Sequence, residues 1–128
     1  MATLKEIMTS DVFTTQRDTP VSEVAASMVK GRVGSAIVMQ GSWVGGIFTE
    51  RDVLRAAASG RDLTSSPVSE WMTADPVTAD GGMDASEALE LMMSSGFRHL
   101  PVLEGQSLVG IVSLRDVLRT RIGRPRAR

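Results

Sequence analysis

The chain has 128 residues, no cysteine, a single histidine (His99) and 15 acidic against 14 basic side chains, for a formal net charge of −1. That length suits one domain or two small motifs sharing a core. The counts exclude disulfide staples, thiol nucleophiles and Cys/His zinc sites, and the near-neutral charge argues against a general nucleic-acid binder.

In chain order, Met1-Ala2-Thr3-Leu4-Lys5 lacks the apolar run of a signal peptide, and no later stretch approaches the length of a membrane span, so a soluble cytoplasmic protein is expected. Val12-Phe13-Thr14, after the turn signal Ser10-Asp11, predicts a short strand. Thr19 is a candidate N-cap with Pro20 at the first helical position. Val21, Val24, Ala25 and Met28 then recur at helical spacing, and Gly31 and Gly34 stop the helix. Ser35–Met39 and Val44–Phe48 predict two strands joined by a Gly-containing turn, followed by a helix from about Glu50 to Ala58. Gly60–Pro67, rich in Ser, Asp and Gly, reads as a linker.

The same order then returns. Val77-Thr78 follows the turn signal Asp75-Pro76, and Asp84 with Glu87 has the form of a capping box. Ala85, Ala88, Leu89 and Met92 repeat the helical spacing, and Gly96 stops that helix. His99–Leu103 and Leu108–Val112 form the second strand pair, and a last helix runs from about Leu114 to Ile122. The final ten residues, with Arg119, Arg121, Arg124, Arg126 and Arg128, read as a solvated basic tail, the alternative being a phosphate or nucleic-acid contact.

Shifted by 64 residues, the sequence matches itself without a gap. Glu6, Met8 and Thr9 fall on Glu70, Met72 and Thr73; Asp11 and Thr14 fall on Asp75 and Thr78; Gly46-Ile47 falls on Gly110-Ile111. The block Arg51-Asp52-Val53-Leu54-Arg55 meets Arg115-Asp116-Val117-Leu118-Arg119. A matching pentapeptide in register with many scattered matches marks an internal duplication. Each copy reads β-α-β-β-α, too short to bury its apolar faces well alone.

A physical rationale attaches to the most specific element, Gly46-Ile47-Phe48-Thr49-Glu50-Arg51-Asp52 and its partner Gly110-Ile111-Val112-Ser113-Leu114-Arg115-Asp116. A strand ends, a hydroxyl residue takes the N-cap position and a helix begins, offering N–H donors and partial positive charge to a phosphate. Asp52 or Asp116 can accept two hydrogen bonds from the vicinal hydroxyls of a ribose, while Arg51 and Arg115 can neutralise phosphate. The competing explanation is structural: Thr/Ser-x-x-Asp is also an N-capping arrangement.

Order, length and motif together resemble the CBS domain, which occurs as a tandem pair, over about Leu4–Arg121. The Gly-apolar-apolar-Thr/Ser-x-x-Asp pattern and the opening Met-Thr-x-Asp (Met8–Asp11, Met72–Asp75) carry the likeness. The resemblance implies an α+β fold in which two β-α-β-β-α motifs pack with pseudo-two-fold symmetry into one CBS pair. The expected divisions are motif 1 over 1–60, a linker over 61–67, motif 2 over 68–122 and a basic tail over 123–128. The resemblance also implies clefts between the motifs that hold an adenosine-type ligand. Backbone around Thr14 and around Val77-Thr78 would hold the base, and Arg98, His99 and Pro101 stand where the family places phosphate contacts. The implied ligand-binding set is Thr14, Thr49, Arg51, Asp52, Val77, Thr78, Arg98, His99, Pro101, Ser113, Arg115 and Asp116.

The copies differ on the phosphate side. Where the second has Arg98-His99-Leu100-Pro101, the first has Gly34-Ser35-Ala36-Ile37, and Gly81-Gly82 replaces Arg17-Asp18. Unequal clefts are expected. Trp71 reads as packing, and Met28, Met92 and Met93 as core. The function implied is a regulatory module that binds AMP, ADP, ATP, NAD or S-adenosylmethionine as a regulatory ligand, with no obligatory cofactor, no catalytic residue and no metal. A homodimer formed through the helices, a separate protein partner, and neither nucleic acid nor membrane as partner are the companion expectations. The alternative is a constitutive dimerisation or scaffold module with vestigial clefts.

Overall fold

The computed structural model describes residues 2–123, with side chains through Thr120. The arginine side chains at 121, 124, 126 and 128, and the tail expected beyond Gly123, lie outside the described residues. The elements are α1 (Leu4–Ile7), β1 (Thr14–Gln16), α2 (Val21–Gly31), β2 (Ser35–Gln40), β3 (Trp43–Thr49), α3 (Glu50–Ala58), a 3-10 turn (Val68–Glu70), β4 (Thr73–Ala74), β5 (Ala79–Asp80), α4 (Ala85–Ser95), β6 (His99–Glu104), β7 (Ser107–Ser113) and α5 (Leu114–Gly123). The fold is α+β.

Two compact units divide these elements. One is Phe13–Pro76; the other joins the chain up to Val12 with the chain from Val77. In the first, the sheet order is β1-β2-β3-β4, with β1 parallel to β2 and the remaining pairs antiparallel. Alternation along β2 and β3 puts Ala36, Val38 and Phe48 on one face. Helices α2 and α3 cover that face with Val21, Val24, Met28 and Ala56, and Val68 of the 3-10 turn completes the cluster. The second unit repeats this with sheet β5-β6-β7 and a core of Leu4, Ala79, Ala85, Ala88, Met92, Leu100, Val102, Val112 and Val117. Met28 and Met92 are core as expected, whereas Met93 is exposed.

Each unit takes the lead-in segment that precedes the other repeat in sequence, and the exchange is reciprocal. Thr73 pairs with Ile47, and Thr9 pairs with Ile111. Pro67 bridges to Pro20, and Thr3 bridges to Asp84. The carbonyls of Ser66 and Leu63 accept the N–H groups of Val21 and Ser22 at 2.9 and 3.0 Å, and the Ala2 carbonyl accepts that of Ala85 at 2.8 Å. These borrowed carbonyls satisfy N–H groups that would otherwise lack partners at the starts of α2 and α4. The stretch read as linker is therefore hydrogen-bonded along its length. Its Asp62 accepts the Thr64 hydroxyl at 2.6 Å and the Thr64 N–H at 3.0 Å. Those bonds, the hydroxyl first, hold the carboxyl below its ordinary range, so the turn loosens only as pH falls through that lowered value.

Several local expectations are corrected by this exchange. Pro20, not Thr19, occupies the N-cap of α2, because the Ser66 and Leu63 carbonyls do the work a Thr19 hydroxyl would have done. Asp84 is the N-cap of α4 but makes no side-chain cap bond; it accepts the Ser86 hydroxyl while Ala2 serves the helix N–H. Arg32, not a glycine, takes the left-handed position after α2 at φ 56°, where its repeat counterpart Gly96 has φ 85°. The opening strands start later than expected, at Thr14 and Ala79, although the Phe13 carbonyl still accepts the Ile37 N–H at 2.9 Å.

The exchanged segments run antiparallel beside the strands that carry the motif glycines. A Cβ built on Gly46 would meet Met72 Cγ at 2.9 Å and the Thr73 carbonyl at 3.0 Å; one built on Gly110 would meet Met8 Cγ at 2.8 Å and the Thr9 carbonyl at 3.0 Å. Gly110→Ala should therefore destabilise the protein by about 1–3 kcal/mol, read as a lower urea midpoint. Phe48→Ala, which empties a fully buried site, should cost about 3–5 kcal/mol in the same assay.

Candidate functional site

Each unit gathers four chain positions at one end of its sheet. Because β1 runs parallel to β2 and β3 antiparallel to it, the starts of β1 and β2, the end of β3 and the first turn of α3 meet there. Ser35 lies directly opposite Thr49, and Thr14 opposite Ile37, on the face turned away from the helices. In the other unit His99 lies opposite Ser113 and Pro101 opposite Ile111, with Val77 and Thr78 just before β5. Topology thus brings Thr14, Thr49, Arg51 and Asp52 together in one unit. In the other it gathers Val77, Thr78, Arg98, His99, Pro101, Ser113, Arg115 and Asp116. Arg51, Arg98 and Arg115 are exposed, His99, Thr78 and Asp116 half-buried and Pro101 buried.

Both Thr/Ser-x-x-Asp corners are N-capping boxes. Asp116 Oδ2 accepts the Ser113 N–H at 3.1 Å, and the Ser113 hydroxyl accepts the Asp116 N–H at 3.1 Å. Asp52 Oδ2 accepts the Thr49 N–H at 2.9 Å and its hydroxyl at 3.3 Å. The first helical N–H is also spoken for, since Glu50 donates to the Gly34 carbonyl at 3.2 Å and Leu114 to the Arg98 carbonyl at 2.8 Å. A phosphate at α5 would therefore meet the N–H of Arg115 rather than a row of unpaired donors.

The corners diverge at the carboxylate. Asp52 is buried, and its second oxygen, Oδ1, accepts Arg55 Nη1 at 2.9 Å. Arg55 also lies over the indole of Trp71, with Cζ 5.6 Å from the ring centroid, and Arg61 lies at 5.7 Å. Trp71 packs against the helix-side core of its unit, as expected of a packing residue. Arg119, the repeat counterpart of Arg55, makes no ion pair with Asp116 among the described residues. Arg55 and Trp71 were missed as residues touching the site. The Asp52–Arg55 spacing of three is visible in the pentapeptide, but it occurs equally in the copy where no pair forms.

Duplicated β-α-β-β-α units, each with a capped strand-to-helix corner, define a tandem-repeat α+β architecture. The CBS domain model matches residues 4–59 and 68–123, and the chain belongs to the CBS domain family. An uncharacterised 17.7 kDa protein of Acidianus ambivalens is 38% identical over 122 residues, which cover 93% of this chain and 73% of that one. The solved CBS-domain protein ATU1752 of Agrobacterium tumefaciens superposes with a TM-score of 0.87 at 32% identity, over 94% of this chain and 99% of that one. A CBS domain protein of Pyrobaculum aerophilum, PAE2072, solved in complex with AMP, superposes at 0.82 with 28% identity, over 89% and 88% of the two chains.

Asp52→Ala should lower stability by about 2–3 kcal/mol, because it strips a cap built on a buried side chain and leaves the part-buried Thr49 N–H without that partner. Asp116→Ala, at a less buried corner, should cost nearer ~1 kcal/mol. Denaturant titration of the two variants checks the order.

Proposed function

We propose that this chain is a non-catalytic regulatory module of the cytoplasm that binds an adenosine nucleotide, AMP, ADP or ATP, or a related adenosyl compound such as NAD or S-adenosylmethionine, and thereby modulates a separate protein partner. The observation that carries the reading is the convergence of Ser113, Asp116, His99 and Arg98 at one sheet end. A carboxylate for ribose hydroxyls and cationic or imidazole groups for phosphate stand there on rigid elements. The AMP complex of the Pyrobaculum relative supports the ligand class. Val77 and Thr78 would border the base, Pro101 would stiffen the strand beneath it, and Arg115 would meet phosphate at the helix start. Thr14, Thr49, Arg51 and Asp52 form the corresponding set in the first unit. Binding regulates only through a difference in affinity between two states of the module or its partner.

The helices carry a second feature of the reading, a homodimer. Val29 (79% exposed) and Met93 (67%) occupy equivalent positions on α2 and α4, and Leu54 (69%) and Leu118 (39%) on α3 and α5. Apolar exposure repeated at equivalent positions fits an association surface better than scattered surface apolars do. The same residues favour the alternative, a dimerisation module whose corners hold no ligand.

Ligand separates the two readings. AMP should raise the melting temperature by several degrees, since a ligand at one hundred times its Kd adds about 2.7 kcal/mol. Asp116→Ala should abolish most of that rise. No shift with millimolar AMP, ATP, NAD or S-adenosylmethionine would leave only the dimerisation reading. Light scattering should show a dimer that Met93→Glu combined with Leu118→Glu converts to monomer.

A further inference from the structure

The two corners share an identical Arg-Asp-Val-Leu-Arg pentapeptide, so the arginine that pairs with Asp52 has a counterpart at the same spacing from Asp116. In one unit Arg55 bridges Asp52 Oδ1 at 2.9 Å and lies 5.6 Å from the Trp71 ring centroid. The ring is itself held in place: it packs against the helix-side core, Arg61 lies over it at 5.7 Å, and Arg61 is in turn paired with Glu70 at 3.2 Å. The Trp71 indole nitrogen is buried without a hydrogen-bond partner, so packing and the two guanidinium groups, rather than a hydrogen bond, fix its orientation. In the other unit the residue equivalent to Trp71 is Ile7, which packs against its core but offers no π face to a cation. There Arg119 forms no ion pair among the described residues, and the cap bond that the Asp116 carboxylate accepts falls on Oδ2.

We propose that the Arg55–Trp71 pair is the determinant of unequal occupancy: it holds the Asp52 carboxylate closed to ribose hydroxyls and confines adenosine-ligand binding to the Ser113–Asp116 corner. This inference rests on the ligand-sensor reading above. Ligand at the first corner would have to displace a charge-assisted bond on a nearly buried carboxylate, and the indole would still hold the displaced arginine nearby. The aromatic residue thus adds a carboxylate-side difference to corners that already differ on the phosphate side.

Calorimetric titration of the full chain with AMP, repeated with S-adenosylmethionine, tests this. The wild-type protein should bind one ligand per chain, and Asp116→Ala should abolish binding. Trp71→Ile, which installs the residue used in the other copy, and Arg55→Gln should each reveal a second site, raising the stoichiometry to two or tightening a weak second site at least tenfold. Thermal melts establish that both variants are folded, and two chemically different variants guard against the failure of either. A wild-type stoichiometry of two with equal affinities overturns the proposal and leaves the sensor reading intact. So does a stoichiometry of one, unchanged in both variants but lost in Asp116→Ala. Absence of binding of either ligand to every protein removes the sensor reading, and with it the role given to the Arg55–Trp71 pair.

Discussion

Each strand that leads into a Thr/Ser-x-x-Asp corner carries a glycine where a borrowed antiparallel segment packs closely against it. At Gly46 and Gly110 the borrowed Met-Thr segments approach so closely that any side chain would meet a methionine side chain and a backbone carbonyl. That approach fixes the edge of each sheet, and with it the end of β3 or β7 and the first turn of the following helix. The corner carboxylates are then oriented by capping bonds.

The exchange also explains how motifs of this size close their cores. A single β-α-β-β-α repeat leaves N–H groups at its first helix and one sheet edge unsatisfied. The carbonyls of Ser66, Leu63 and Ala2 fill the first gap, and the pairings of Thr73 and Thr9 fill the second. The duplicated pattern of the sequence and the compact units of the structure are therefore cut at different places. Stability and corner geometry are carried by contacts between residues distant in sequence.

Much of this was legible in the sequence where the signal is local. Apolar spacing placed α2 and α4, the glycine turns placed the hairpins, and helix α3 falls on the expected residues. The duplication made each assignment twice. What was not legible depends on partners distant in sequence. Thr19 has the chemistry of an N-cap, yet the carbonyls of another segment took that role. Arg32 adopts a left-handed backbone that its sequence would not predict. Difference between the copies was expected at Gly34-Ser35 against Arg98-His99. The structure adds a second difference: Arg55 pairs with Asp52 and lies over Trp71, whereas Arg119, in the copy with Ile7 at that place, forms no ion pair among the described residues.

As proposed, a carboxylate cap, which serves folding in both units, is available to a ligand in only one of them. Backbone amide chemical shifts of the 15N-labelled protein, recorded during addition of AMP, test that claim most directly. The account predicts large, saturable shifts at Val77–Ala79, His99 and Ser113–Asp116, with Thr14 and Thr49–Asp52 nearly unmoved. Equal shifts at both corners, or none at either, would contradict it.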